Sequence, residues 1–263
     1  MEKFDVIVIG AGPGGYPAAI RAAQLGASVA VVEKELAGGT CLNWGCIATK
    51  SLIACSDLFA HIKRAESFGI SAGTVKHDYA AMSRRKDDIV GKLRTGVEGL
   101  LKANKVRYFK GTASFVDRNR ITVTAADGTQ TALETKATII ASGSTSAVPG
   151  FLPKHEHVME SRRFLEITQL PASMLILGGG VIGCEFACMA AQLGVKVTVV
   201  ELLEDILMMV DADVRREVRT HMEKTLGIRV LTGKALAEIA ATDTTVSGKV
   251  GDETLTADLL LVA

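Results

Sequence analysis

Cys41 and Cys46 stand five positions apart in Gly38-Gly39-Thr40-Cys41-Leu42-Asn43-Trp44-Gly45-Cys46-Ile47-Ala48-Thr49-Lys50. Two thiols at that spacing, ahead of a helix-forming stretch, can close a small redox disulfide. A helix N-terminus and a nearby cation both favour thiolate, the reactive form. Lys50 comes four residues after Cys46, one helical turn on and on the same face. The same two cysteines also read as packed free thiols, and spacing alone leaves both readings open. A zinc site is poorly supported, because no second Cys or His pair has ligand spacing.

A second chemistry lies in the glycines. Asp5 to Ile9 reads as a buried strand and runs into Gly10-Ala11-Gly12-Pro13-Gly14-Gly15. An alanine-rich helical stretch follows to Leu25, Gly26 stops it, and a second strand ends at Glu33. The pattern then recurs. Met174 to Leu177 leads into Gly178-Gly179-Gly180-Val181-Ile182-Gly183, then a helix, Gly194, and a strand ending at Glu201. Ala22-Ala23-Gln24-Leu25-Gly26 returns as Ala190-Ala191-Gln192-Leu193-Gly194, and each Glu follows its first glycine at the same spacing. In a dinucleotide site the first glycine permits the tight turn and the second lets backbone approach the pyrophosphate. The third permits close helix–strand packing, and the helix N-terminus holds the negative charge. The acid closing the second strand accepts hydrogen bonds from a ribose hydroxyl. Glu201 repels a 2′-phosphate, and Leu202-Leu203-Glu204-Asp205 brings no arginine, so the second site is expected to favour NAD over NADP.

The elements that must hold these groups follow from pattern and punctuation. Helices are expected over Ser51–Ser67 and Tyr79–Ala103. Tyr108–Val116, Arg120–Thr124 and Thr131–Glu134 read as a β-meander with Asp127-Gly128 at a turn. The run Arg84-Arg85-Lys86-Asp87-Asp88 reads as the exposed face of a long helix. His155 and His157, flanking Glu156, read as part of a solvated linker, and Cys55, Cys184 and Cys188 as packed small residues. Three parts are expected: 1–151, 152–172 as linker, and 173–263. The balance of 30 Lys and Arg against 29 Asp and Glu provides no basic footprint for nucleic acid and no polybasic membrane patch. No run approaches the ~20 apolar residues of a membrane helix. Strand pattern beginning at Phe4 leaves no room for a targeting peptide, and five cysteines without a scaffold pattern make a reducing cytoplasm the expected compartment.

The Gly39-Thr40-Cys41-Leu42-Asn43 and Gly45-Cys46-Ile47 segments resemble the redox-active motif of the flavin-dependent pyridine nucleotide–disulfide oxidoreductases. Gly10 to Gly15 are similar to that family's FAD-binding start and Gly178 to Ala187 to its NAD motif. Ile140-Ala141-Ser142-Gly143-Ser144 is similar to its Ala-Thr-Gly-Ser turn, and Lys110-Gly111-Thr112 to a stretch near the FAD adenine. The chain departs at Ala48, where the family usually has Pro, and at Ser142, which replaces Thr.

The resemblance implies an α/β fold of two Rossmann-like dinucleotide-binding domains, the second interrupting the first in full-length members, with a β-meander in each. Residues 1–151 would form the FAD domain with its redox disulfide, and 173–263 an NAD domain incomplete at its C-terminus. Gly10, Gly12, Gly14, Gly15, Glu33, Lys34, Gly39, Thr40, Lys50, Gly111, Ser142 and Gly143 would line FAD. Gly178, Gly180, Val181, Ile182, Gly183 and Glu201 would line NAD. Within the family the dithiol segment is most similar to the branch that oxidises protein-bound dihydrolipoamide. The glutathione and mercuric reductase branches, which prefer NADP, fit Glu201 and Gly183 less well.

That branch implies Cys41 as the interchange sulfur and Cys46 as the sulfur facing the flavin. Lys50 would form a buried pair with Glu185, with roughly 3–5 kcal/mol lost on breaking it from one side. The implied partners are the lipoyl domain of a 2-oxo acid dehydrogenase complex or of the glycine cleavage system, and a second subunit in a homodimer. No His matches the family's His–Glu base, and Asp258 to Ala263 stops as an apolar run. The chain is therefore expected to be the N-terminal part of a longer enzyme, to lack turnover alone, and to expose that last run as an unpaired edge.

Overall fold

The computed structural model describes residues 1–263. The chain opens with β1 (Glu2–Ile9), α1 (Tyr16–Gln24) and β2 (Val29–Glu33), then α2 (Gly39–Trp44) and α3 (Cys46–Lys63). A 3-10 turn at Ala65–Phe68 precedes the long α4 (Tyr79–Ala103). Next come β3 (Arg107–Lys110), β4 (Thr112–Phe115), β5 (Arg120–Thr124) and β6 (Gln130–Ile140). The remainder holds β7 (Val158–Glu160), α5 (Ser161–Phe164), β8 (Ser173–Leu177), α6 (Val181–Gln192), β9 (Lys196–Val200) and α7 (Ala212–Thr220). It ends with β10 (Arg229–Leu231), β11 (Ala237–Ala241), β12 (Val246–Val250), β13 (Glu253–Ala257) and β14 (Leu259–Val262). Residues 1–48 with 87–145 form one compact unit, and 49–86 with 146–263 form a second.

In the first unit the strand order is β3-β2-β1-β6-β5-β4. β1 pairs in parallel with β2 and β6, and β2 with β3. Every residue of β2 is buried, as a strand covered on both faces requires. β6 serves two sheets' worth of pairing along its length. Gln130–Glu134 runs antiparallel to β5, while Leu133–Ile140 runs parallel to β1. Gly111, at φ 159°, ends β3 and starts β4, so the single Tyr108–Val116 run expected from sequence is two strands with different partners. Phe4, Ile7, Ala30, Val32, Ile121 and Leu133 form one core cluster, and Phe4 meets Phe109 edge-on at 6.0 Å.

The second unit repeats the plan with order β10-β9-β8-β14-β7 and adds the antiparallel sheet β11-β12-β13. The repeat extends to single hydrogen bonds. Gly10 N donates to Val32 O at 2.8 Å, and Gly178 N to Val200 O at 3.0 Å. Ala141 N donates to Ile9 O at 2.8 Å, and Ala263 N to Leu177 O at 2.9 Å. Phe164 and Phe186, both fully buried, meet edge-on at 4.9 Å.

Two further expectations are overturned. The Asp258–Ala263 run is not an edge: β14 lies between β8 and β7 with hydrogen bonds on both sides, and Leu260 and Leu261 are fully buried. A short continuous apolar run is what a parallel strand covered on both faces looks like. Its outer neighbour, β7, comes from the segment that reads as linker. Lys86 is likewise not on an exposed face. It is buried, and its ammonium donates to Leu165 O at 2.5 Å; one residue of a charge run turns inward where a carbonyl waits for it. No helix is long and apolar enough to cross a membrane.

The third glycines are demanded by the fold. A Cβ at Gly15 would stand 1.8 Å from Gly10 O, and one at Gly183 would stand 2.1 Å from Gly178 O. Gly15→Ala and Gly183→Ala should each therefore destabilise the chain by at least about 1–3 kcal/mol. Denaturant unfolding measures this, with Gly180→Ala as the comparison. Gly180 has φ −72° and open space around its missing Cβ, so that change should leave stability within about 1 kcal/mol.

Candidate functional site

The dithiol segment is built by a short helix breaking at a glycine. α2 is entered through Gly38, at φ 95°, and stops at Gly45. α3 then starts at Cys46 and runs for 18 residues. A Cβ at Gly45 would lie 3.0 Å from Thr40 O and 3.2 Å from the Cys41 Cα. Glycine thus lets the chain fold back until the Cys41 and Cys46 Cα atoms are 4.7 Å apart, and the two sulfurs are bonded. Cys46 is exposed and is the first residue of α3, where the unpaired N–H groups and the helix dipole stabilise a thiolate. Asn43, buried, pins the loop: its Nδ2 donates to Ala37 O and Gly39 O, each at 3.0 Å, and its Oδ1 accepts from Arg94 at 3.3 Å. The sequence carries Asn43 only as part of the dithiol motif; its pinning role was not expected, although a lone amide between Leu42 and Trp44 was the available signal.

Both glycine turns sit at the C-terminal ends of their parallel strands, where strand order reverses about β1 and about β8. The two acids behave as copies of one another. Glu33 accepts from Ala11 N at 2.7 Å and Glu35 N at 2.8 Å. Glu201 accepts from Gly179 N at 2.6 Å and Leu203 N at 2.8 Å. Each carboxylate is thereby fixed beside its glycine turn with further lone pairs to offer. The Glu33 charge reaches Tyr108, whose hydroxyl is pushed up to about 12 by burial first and then by Glu33 and Glu98.

The other sequence-predicted residues of the first unit gather around the same turn. Gly38 N donates to Ala11 O, and Gly39 lies against the Gly12 Cα. Gly111 N donates to Glu33 O at 2.9 Å. Ser142 and Gly143 follow Ala141, whose carbonyl sits under Gly10. Lys34 and Thr40 are exposed beside them. In the second unit Val181 and Ile182, 56% and 48% exposed, open α6.

These residues fit a dinucleotide. The second glycines are not explained by the chain's own packing: at Gly180 a Cβ would meet nothing within 4 Å, and at Gly12 only the Gly39 Cα at 3.7 Å. The space kept free there, next to a helix N-terminus, suits a pyrophosphate pressed against backbone N–H groups.

Lys50 and Glu185 are brought together, with Nζ and Oε1 2.5 Å apart. The pair is not buried as expected. The Lys50 side chain is 56% exposed and that of Glu185 26%, because Lys50 lies on the open side of α3. An exposed pair of this kind contributes about 0–1 kcal/mol to stability. The thiols of buried Cys184 and half-buried Cys188 are different. Burial first, then the neighbouring Cys188 thiol and nearby carboxylates, pushes Cys184 up to about 12; burial, then Asp57 and Glu185, pushes Cys188 up to about 11. Past Glu201, Arg219 and Arg215 from α7 reach Asp205 at 2.9 and 3.4 Å. These arginines come from beyond the four residues that follow Glu201 in sequence, and only the fold brings them near.

The comparisons agree with this geometry. The pyridine nucleotide-disulphide oxidoreductase family matches residues 4–263. A dihydrolipoyl dehydrogenase of Chlamydia pneumoniae is 41% identical over 262 residues, covering 100% of this chain and 56% of that protein. One from Bacillus subtilis is 38% identical, covering 99% and 57%. Among solved structures, LpdA of Mycobacterium tuberculosis superposes with a TM-score of 0.89 at 26% identity, over 100% of this chain and 58% of that one. The flavoprotein disulfide reductase RclA of Escherichia coli gives 0.87 at 27% identity, over 100% of this chain and 56% of that one. The chain spans just over half the length of the curated relatives it matches. Two glycine turns of one design, each closed by a fixed glutamate, and a cysteine pair bonded at a helix start place the chain in the pyridine nucleotide-disulphide oxidoreductase family.

Proposed function

We propose that this chain carries the FAD- and NAD-binding parts of a dihydrolipoyl dehydrogenase, which oxidises protein-bound dihydrolipoamide to lipoamide through Cys41 and Cys46. The observation that carries the reading is the bonded pair at the start of α3, in a chain with two open glycine cradles. Its working partners would be a lipoyl-bearing domain of a 2-oxo acid dehydrogenase complex or of the glycine cleavage system, and a second subunit. Relatives named dihydrolipoyl dehydrogenase support this.

Residues up to about 151 take FAD and those from 173 take NAD. When bound, FAD supplies a two-electron carrier and NAD the final hydride acceptor. The chain's own residues do the rest. A substrate thiolate attacks the Cys41 sulfur, forming a mixed disulfide and releasing Cys46 as a thiolate. The second substrate thiol then displaces Cys41, closing the lipoamide disulfide and leaving both cysteines reduced. Two protons and two electrons have moved from substrate to protein. The α3 N-terminus and the Lys50 ammonium, one turn further along, stabilise the Cys46 thiolate, and Glu185 orients that ammonium. At the other turn, Gly178, Gly180 and Gly183 shape the pyrophosphate cradle, with Val181 and Ile182 beside it. Glu201 takes the ribose diol.

NAD is the preferred nicotinamide cofactor on this reading. Glu201 presents a carboxylate where a 2′-phosphate would stand, and Arg215 and Arg219 are already held by Asp205. Purified chain loaded with FAD should bleach anaerobically with dihydrolipoamide and not with glutathione; bleaching by glutathione alone would move the assignment to another branch of the family. In binding titrations NADH should be preferred over NADPH. Gly180→Ala should weaken NADH by about tenfold or more, about 1.4 kcal/mol, while leaving stability unchanged.

Differential alkylation checks the thiols. In untreated protein Cys41 and Cys46 should be protected, and after dithiol reduction both should label first. Cys184 and Cys188 should stay slow near neutral pH and accelerate only as pH approaches about 11 to 12. Their folded values lie above the ordinary 9.0. The stability they contribute is therefore whole below pH 9 and lost as pH rises through that window.

A further inference from the structure

α3 and α6 meet through two polar contacts, Lys50 with Glu185 and, seven residues further along α6, a network at Gln192. Asp57 fixes the orientation of the Gln192 amide. Nε2 donates to Asp57 Oδ1 at 2.9 Å, which turns Oε1 toward Ser56. The Ser56 hydroxyl is fully buried and has two acceptors in reach, Gln192 Oε1 at 2.6 Å and Ile53 O at 3.0 Å; it donates to the nearer. On α3 these partners lie six and seven residues after Lys50. Both helices thus advance about two turns between the contacts, and they run side by side in the same direction.

Apolar packing between them is incomplete. Ile53 and Asp57 from α3 and Glu185, Cys188, Met189 and Gln192 from α6 line one cavity of about 240 Å³. Side chains that border a gap do not interlock across it, and so do less to set the relative position of the helices there. The directional hydrogen bonds remain. We propose that Gln192 is a positioning residue: by clasping Ser56 and Asp57 it sets the register of α6 against α3 and so delivers Glu185 to Lys50. Its importance for catalysis rests on the reading of Lys50 given above; the register itself does not.

The test reads Lys50 directly. An ammonium held by a carboxylate acylates more slowly than a free one. The 263-residue chain is treated with a succinimidyl ester, and labelling of Lys50 is measured by peptide mass spectrometry relative to exposed Lys154. Gln192→Glu sets a carboxylate against Asp57, and Lys50 labelling should rise about threefold, since members of one hydrogen-bond network are coupled. Gln192→Ala should do the same. Adding Asp57→Asn to Gln192→Glu reverses the donor: the side-chain amide introduced at position 57 gives its N–H to the carboxylate introduced at 192. That pair should return labelling to the wild-type rate. Leu236→Ala, which weakens the buried cluster around Leu175 and Leu260, should lower the Tm without changing Lys50. Unchanged labelling in both Gln192 variants, or no restoration in the double variant, overturns the proposal. If the pattern holds while the chain fails to bind FAD and NADH, the clasp stands and the proposed function falls.

Discussion

The structure depends on one crowding constraint, met twice. The carbonyl that ends the neighbouring parallel strand sits under the first glycine of each turn: Ala141 O would be 2.2 Å from a Cβ at Gly10, and Ala263 O would be 2.1 Å from one at Gly178. No other residue fits there, and φ values of 101° and 113° exclude a side chain on conformational grounds as well. Once the turn is made this tightly, the next helix must start over the sheet with its N–H groups turned outward. The second glycine then keeps the space beside it almost clear of the chain's own atoms, and the third lies on the carbonyl of the first.

From that constraint the rest can be placed. The acid at the end of β2 or β9 closes the turn by accepting a backbone N–H, so binding-site and fold stabilisation share the same carboxylate. The dithiol loop is tied to the first turn through Gly38 and Gly39. The bonded cysteine pair and the first glycine turn are therefore consequences of one local geometry rather than separate inventions. The cysteines divide by the same physics. Cys46, exposed at the head of a helix, is bonded to Cys41, whereas burial raises the Cys184 and Cys188 thiols above the ordinary range.

Local patterns in the sequence make much of this visible. Gly10, Gly178, Glu33 and Glu201 are readable because each obeys a rule within some two dozen residues of its partner. α4 is legible with its observed ends because apolar period and flanking turns agree over its whole length. What stays hidden is long-range. β14 looks like an open edge in sequence because its partner β7 is three residues inside a polar segment. Lys86 looks solvated because Leu165 O, its acceptor, is distant in sequence. The exposure of Lys50, the Asp205 arginines and the Gln192 clasp all depend on how helices lie against each other. No periodicity records that.

The central claim is that the space at the second glycine of each turn is reserved for a dinucleotide. Amide NMR of the isotopically labelled chain during titration with NADH tests it at the atoms concerned. Saturable shifts are expected, largest at the Gly180, Val181 and Ile182 amides and at Leu203, whose N–H is held by Glu201. Saturable binding that leaves those amides unmoved, with its shifts elsewhere in the chain, would contradict the claim.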